Sequence, residues 1–233
     1  MADSREFING MKAGIPVFVG YFSASLAFGL LAVSSGLLPW EAVLFSAVSC
    51  TGAGQFMSIN LMSQHVPAAA AVFSVFLLNF RYLLMSMSLS IRIDFKRKMD
   101  RFVNAAWVTD EVFSVISTRS GKVPVSFVYG LQLVSAAGWI GGTAAGALGS
   151  SFLPHSVQEA AGIALYALFA ALLVPEVKKN TANLLIAGLA ALLNCLFSLG
   201  LHWPAGWSFV AAMLTAAAAG MLILPKENKE AIA

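Results

Sequence analysis

This chain of 233 residues is 59% hydrophobic and only 11% charged, whereas an ordinary soluble domain carries about 25% charged residues. Its 14 Lys and Arg and 11 Asp and Glu sum to +3, and nearly all sit in short clusters at 3–12, 92–101, 119–122, 176–179 and 226–230. A water-soluble surface is thereby excluded, and the small positive balance calls for no nucleic-acid partner; it is the Lys/Arg excess of cytoplasmic loops.

Between the clusters lie apolar runs, and about 20 apolar residues suffice to span a bilayer as a helix. The runs 14–37, 40–62, 66–91, 123–149, 155–174, 181–200 and 204–224 reach that length. The expectation is an all-α, polytopic transmembrane helix bundle of about six to eight segments. One integral membrane domain covers 1–233: a first repeat over 14–91, a linking segment 92–122, a second repeat over 123–200 and a last helix 204–224.

The first run starts at Gly14, is too long for the apolar core of a signal peptide, and is expected to remain in the membrane. At the centre of the second run stands Thr51-Gly52-Ala53-Gly54-Gln55. Two glycines there either break the helix, freeing backbone groups for a ligand as in many transporters, or permit close helix contact. A break would place the Gln55 amide beside the freed backbone around Gly52 and Gly54.

The third run carries Asn79 and Arg81. An Arg at bilayer depth costs about 2.5–3.5 kcal/mol on insertion scales, so it faces protein or a water-filled cavity and finds a partner. It binds a carboxylate, forms a fixed ordering ion pair, or snorkels to the interface. The next stretch, 102–118, is apolar but holds Asp110 and Glu111, the obvious partners. On one continuous helix Asn104, Glu111 and Thr118 would share an inward face, with Val103, Val112 and Val115 turned to lipid or core. The acids serve as proton carriers, or as a solvated pair on an interfacial helix.

Further along, Gly138, Gly142 and Gly146 recur every four residues, a small-residue face for tight packing. Pro16, Pro67, Pro124 and Pro204 sit near the starts of their runs and read as boundaries. Cys50 and Cys195 fall within apolar runs and read as small packing residues. His65, His155 and His202 lie at segment ends, not spaced to share a metal. No hydrolase elbow, phosphate loop or nucleophile–base pair is visible, so the chain is expected to be neither an enzyme nor dependent on a cofactor.

Leu38-Pro39 and Leu77-Leu78-Asn79 recur 115 residues later as Leu153-Pro154 and Leu192-Leu193-Asn194, which suggests a duplicated three-segment unit. If the cluster 92–101 is cytoplasmic and 102–118 does not cross, then Arg119, Lys122, Lys178, Lys179, Lys226 and Lys229 are also inside, and the two units form an inverted repeat with discontinuous helices. Three crossings before that cluster place the N-terminus, with Arg5 and Lys12, outside, against the same rule.

The motifs Gly20-Tyr21, Ala27-Phe28-Gly29, Gly52-Ala53-Gly54-Gln55-Phe56, Asn79-Phe80-Arg81-Tyr82-Leu83-Leu84 and Thr109-Asp110-Glu111 together resemble the AzlC family, the large subunit of bacterial branched-chain amino acid exporters. The likeness covers about residues 7–225 and is denser in the first half. It implies a multi-pass protein of the bacterial cytoplasmic membrane that exports leucine, isoleucine, valine and sometimes methionine with a small AzlD-type membrane subunit. Gly52, Gly54, Gln55, Asn79 and Arg81 would then hold the substrate, and Asp110 and Glu111 would supply coupling or an ion pair. Tyr82 stands where such proteins often carry histidine. The competing readings are a channel or a structural subunit of a membrane complex.

Overall fold

A computed structural model describes residues 2–150, 181–203 and 205–223, with single positions between 170 and 178. Leu153-Pro154, the stretch 155–169 with His155, Lys179, Pro204 and the cluster 226–230 lie outside the described residues. The described chain is helical: α1 (Ala2–Ser34), α2 (Pro39–Val48), α3 (Ala53–Ser63), α4 (Ala68–Arg92), α5 (Lys98–Ala106), α6 (Asp110–Ser117), α7 (Val125–Gly149), α8 (Thr181–Cys195) continued by one wide π-turn (Leu196–Gly200), and α9 (Ala205–Ile223). Within α1, α4 and α7 the stretches 3–34, 68–92 and 125–149 are long and apolar enough to cross a membrane. The fold is thus the all-α membrane bundle that the hydropathy predicts.

The chain divides into two compact units, 1–60 with 78–166 and 61–77 with 167–233. In the first, α1 and α7 form the spine. Gly10 lies against the Phe127 backbone, Gly138 against Phe18, and Gly146 against Leu26. Positions advance together along both helices, so the two run parallel. A methyl group on Gly138, Gly142 or Gly146 would collide with the α1 backbone, so the small-residue face packs within the chain as expected.

The run 40–62 breaks at Ser49–Gly52, where Gly52 takes φ +48°. Phe45 of α2 and Phe56 of α3 both stack edge-on against Phe28, at 6.0 and 5.3 Å between ring centroids. Eleven residues of straight helix would separate them by about 16 Å. α2 and α3 therefore make a hairpin that enters from the end of α1 and turns back beside Trp139, whose ring faces Gly52.

A second hairpin enters from the other end. α5 climbs beside the start of α7, with Asp100 accepting from the Tyr129 hydroxyl (2.8 Å) and the Asn104 carbonyl from Gln132 Nε2 (3.0 Å). The chain breaks at Trp107–Thr109, and α6 returns until Arg119 reaches Glu6 and lies over the Phe127 ring, 3.9 Å away. Arg92, at the end of α4, donates to the Ser117 carbonyl (2.9 Å). A parallel bridge joins Ile93-Asp94 to Val123-Pro124. Leu89, Val112, Ile116, Val123, Val128 and Leu131 form the core at this end.

Several sequence expectations need correction. The run 40–62 does not cross, so two crossings, not three, separate the N-terminus from the cluster 92–101. The start of α1 thus lies at the same end as residues 92–101 and 119–122, which removes the conflict with the charge rule. The parallel α1 and α7 rule out inversion of the units at a spacing of 115. The inverted elements are instead α2–α3 with α4 and α5–α6 with α7, both helices of 25 residues. α1 begins at Ala2 and passes through Pro16 unbroken, so that proline is no boundary. Pro67 and Pro124 do precede α4 and α7. The break at Trp107–Thr109 separates Asn104 from Glu111, and Thr118 is exposed and bonds the Val115 carbonyl, so the shared inward face does not form. Cys50 is buried as expected, but Cys195 is exposed. His65 and His202 do mark segment ends, both with φ above +50°.

In the second unit, α8 and α9 pack through Ile186 against Gly220, and the Phe73 and Trp207 rings lie 6.2 Å apart. A groove of about 460 Å³ between α8 and α9 is lined by alanines, Ile186, Met213 and Asn194.

Candidate functional site

The two hairpin tips meet beside one turn of α4. Arg81 Nη2 lies 2.8 Å from Asp110 Oδ2, the first residue of α6. It also donates to the Tyr82 hydroxyl (3.3 Å), which donates to the Thr51 carbonyl at the other tip (3.2 Å). The guanidinium stands 5.1 Å from the Tyr82 ring centroid, a cation–π contact. Neighbouring side chains of α4 thus hold both tips. The Arg81 and Asp110 side chains are 36% and 33% exposed, so the pair is open on one side.

Local sequence explains the second tip. Thr109 caps α6 by accepting from the Val112 amide (3.3 Å), and its first turn carries Asp110 and Glu111, where carboxylates favour the positive end of the helix dipole. Asp110 turns to Arg81; Glu111 turns to α1 and accepts from the Tyr21 hydroxyl. The two acids expected to share one role therefore have different partners.

At the first tip, Gly54 has no side chain and the Asn79 amide fills that space, within 3.0 Å of where a methyl carbon would stand. Asn79 Oδ1 and Arg81 Nε are both buried without a hydrogen-bond partner among the described residues. Such groups carry the full cost of desolvation until something meets them. They are an acceptor and a donor left open beside the tips.

Gln55 departs from the role expected of it. It is completely buried, and both ends of its amide are engaged. The Trp139 indole donates to Gln55 Oε1 (2.7 Å), Gln55 Nε2 donates to Ser46 Oγ (3.0 Å), and Ser46 meets Thr143 Oγ1 (2.7 Å). Thr143 gives its proton to the Trp139 carbonyl (2.9 Å), so Ser46 is the donor to Thr143. The chain begins and ends on Trp139 and fixes the first hairpin to α7. Gln55 thus holds the first hairpin in position, with both ends of its amide engaged inside the fold.

Sequence reasoning brought out Gly52, Gly54, Asn79, Arg81, Asp110 and Glu111, all of which lie at or beside the tips. It gave no role to Tyr21, Ser46, Trp139 or Thr143. Trp139 adjoins the glycine face of α7, and that adjacency was the available signal. Among the described residues no three His, Cys, Asp or Glu come together as a metal site.

The model of the family described as "AzlC protein" matches residues 16–153, which includes both hairpins and all of these site residues. An uncharacterized membrane protein of Archaeoglobus fulgidus is 32% identical over 190 residues, 81% of this chain and 84% of that one. The inner membrane protein YgaZ of Escherichia coli is 29% identical over 225 residues, 91% of this chain and 90% of the relative. An uncharacterized membrane protein of Helicobacter pylori is 27% identical over 192 residues. No solved structure matches the chain. On the family match and the shared length, this chain belongs to the AzlC family, and it is a membrane protein.

Proposed function

We propose that the chain is the large subunit of a secondary transporter that exports leucine, isoleucine, valine and methionine across the bacterial cytoplasmic membrane, together with a small AzlD-type membrane subunit. The end that gathers Arg92, Lys96, Arg97, Lys98, Arg101, Arg119 and Lys122 is the cytoplasmic one. The Escherichia coli relative YgaZ is described as an inner membrane protein, which supports the choice of membrane.

The Arg81–Asp110 pair carries the reading. A zwitterionic amino acid brings one carboxylate and one ammonium. It can open the pair and satisfy both halves, with Arg81 gripping the carboxylate and Asp110 receiving the ammonium. No net charge is added, and no ion is stranded in low dielectric, where an unpaired charge costs several kcal/mol. A simple anion would strand Asp110; a simple cation would strand Arg81. The open Asn79 Oδ1 gives the ammonium a further acceptor. The glycines at 52 and 54 keep the backbone bare beside it, and apolar side chains receive the aliphatic tail. In the empty protein Asp110 neutralises Arg81.

The test is efflux of labelled leucine from bacteria lacking their own exporters, with this chain and its small partner expressed. Wild type restores efflux. Arg81→Ala abolishes it, and so does Arg81→Lys, because an ammonium cannot reproduce the bidentate grip. A charge-swapped Arg81→Asp/Asp110→Arg protein that transports normally would make the pair a static strut and remove the proposal.

A further inference from the structure

A groove of about 490 Å³ runs between α5 and α7, lined by Phe7, Val103, Trp107, Tyr129, Leu133 and Ile140 with intervening alanines and Gln132. It is separate from the Arg81–Asp110 pair and unused by the transport reading. Along α7 it extends from Tyr129 to Ile140, eleven residues or about 16 Å of helix. That is about half the 30 Å hydrocarbon core of a bilayer. It therefore reaches from the charged end of the unit to the level of Trp139 and the hairpin tips, one leaflet deep.

Its walls suit a hydrocarbon. The Tyr129 hydroxyl is committed to Asp100 and the Gln132 amide to the Asn104 carbonyl. Leu133 remains 55% exposed, so the groove opens sideways, toward lipid. Its mouth suits an anion. Tyr129 is bonded to Asp100 (2.8 Å), and the short segment 96–101 around that acid holds Lys96, Arg97, Lys98 and Arg101. Lys96 is shared with Asp3 at 3.7 Å, while Arg97 and Lys98 are exposed and reach no carboxylate within ion-pair distance among the described residues.

We propose that this groove seats one acyl chain of an anionic phospholipid of the cytoplasmic leaflet, with the headgroup held by Arg97 and Lys98. Trp107, at the inner end, belongs to the break that leads into Thr109 and Asp110. An occupied groove thus supports the second hairpin tip from behind. A partner helix in the same groove would have no use for the basic mouth, and α5 would present its exposed Met99 and Phe102 beside it in either case.

The experiment uses the purified full-length chain in mixed micelles with phosphatidylglycerol or with phosphatidylcholine of identical chains. Lipid retention is read by native mass spectrometry and the unfolding midpoint by tryptophan fluorescence. Phosphatidylglycerol is retained more strongly and raises the midpoint further. Each basic side chain near an anionic surface contributes about fivefold in affinity, so Arg97→Gln/Lys98→Gln lowers phosphatidylglycerol retention about 30-fold. Both positions are exposed, so that variant folds. Ala136→Phe fills the groove and removes the difference between the two lipids. Equal retention of both lipids by the wild type, or a preference unchanged by Arg97→Gln/Lys98→Gln, overturns the proposal. A copurifying membrane subunit that Ala136→Phe expels, with no lipid preference, puts a helix there instead and overturns it equally. Neither readout depends on transport.

Discussion

Replacing Trp139 with Phe removes one donor from a closed, buried chain of hydrogen bonds and little else. Trp139 is 3% exposed, and Gln55, Ser46 and Thr143 are completely buried. Phe keeps a ring near Gly52 and Tyr21 but leaves Gln55 Oε1 without its partner. An unsatisfied buried acceptor costs about 1–3 kcal/mol in water-soluble proteins. Hydrogen bonds between helices in membranes measure lower, about 0.6–1.7 kcal/mol, because the reference state also finds partners. Loss of the larger indole ring adds about 1 kcal/mol. The expected destabilisation is therefore about 2 kcal/mol, read as a lowered unfolding midpoint of the detergent-solubilised protein. Gln55→Leu strands the indole N–H in turn, so the double variant Trp139→Phe/Gln55→Leu should cost about 1 kcal/mol less than the two single losses added together. Strict additivity, or a Trp139→Phe protein as stable as wild type, would refute the network.

Other substitutions probe the remaining parts. Gly142→Ala drives a methyl group into the Phe22 carbonyl and Ser25 Oγ; overpacking costs about 1–3 kcal/mol, visible as a lower midpoint. Gly52→Ala forces a side chain to φ +48° and should lose about 1–2 kcal/mol by the same measurement. Thr109→Ala removes the cap of α6, costs about 1 kcal/mol, and should weaken leucine efflux by loosening Asp110. With Cys50 and Cys195 replaced by serine, Ser4→Cys and Ser120→Cys should react with an impermeant maleimide from one side of the membrane and Ser35→Cys from the other. Labelling of Ser4 and Ser120 from opposite sides would mean that the run 40–62 crosses after all.

The sequence carried the composition of the fold and the chemistry of the site, but not the path of the chain. Hydropathy distinguishes lipid from water; it does not distinguish a helix that crosses from a hairpin that enters and returns. Residues 40–62 are as apolar as a span and long enough to be one, so they read as a crossing until Phe45 and Phe56 are found on the same ring. The charge pattern already registered the error, since Arg5 and Lys12 fell on the wrong side. Arg81 and Asp110 were legible because an ion in a membrane needs a partner. The hydrogen bonds of Gln55 were not legible because its neighbours in sequence are glycines, whereas its partners Ser46 and Trp139 come from a fold that spacing does not reveal. Glu111 followed Asp110 in the chain and was given the same role, yet consecutive residues on a helix point about 100° apart and meet different helices.

The most direct measurement is counterflow. The chain and its small partner are reconstituted into vesicles loaded with unlabelled leucine, and entry of external labelled leucine is followed with time. An alternating carrier that exchanges a zwitterion at Arg81 and Asp110 accumulates label transiently above equilibrium, saturates with external leucine, and loses both properties in Arg81→Lys. Entry that rises linearly with concentration and never overshoots, or counterflow that survives Arg81→Ala, would contradict exchange at this pair.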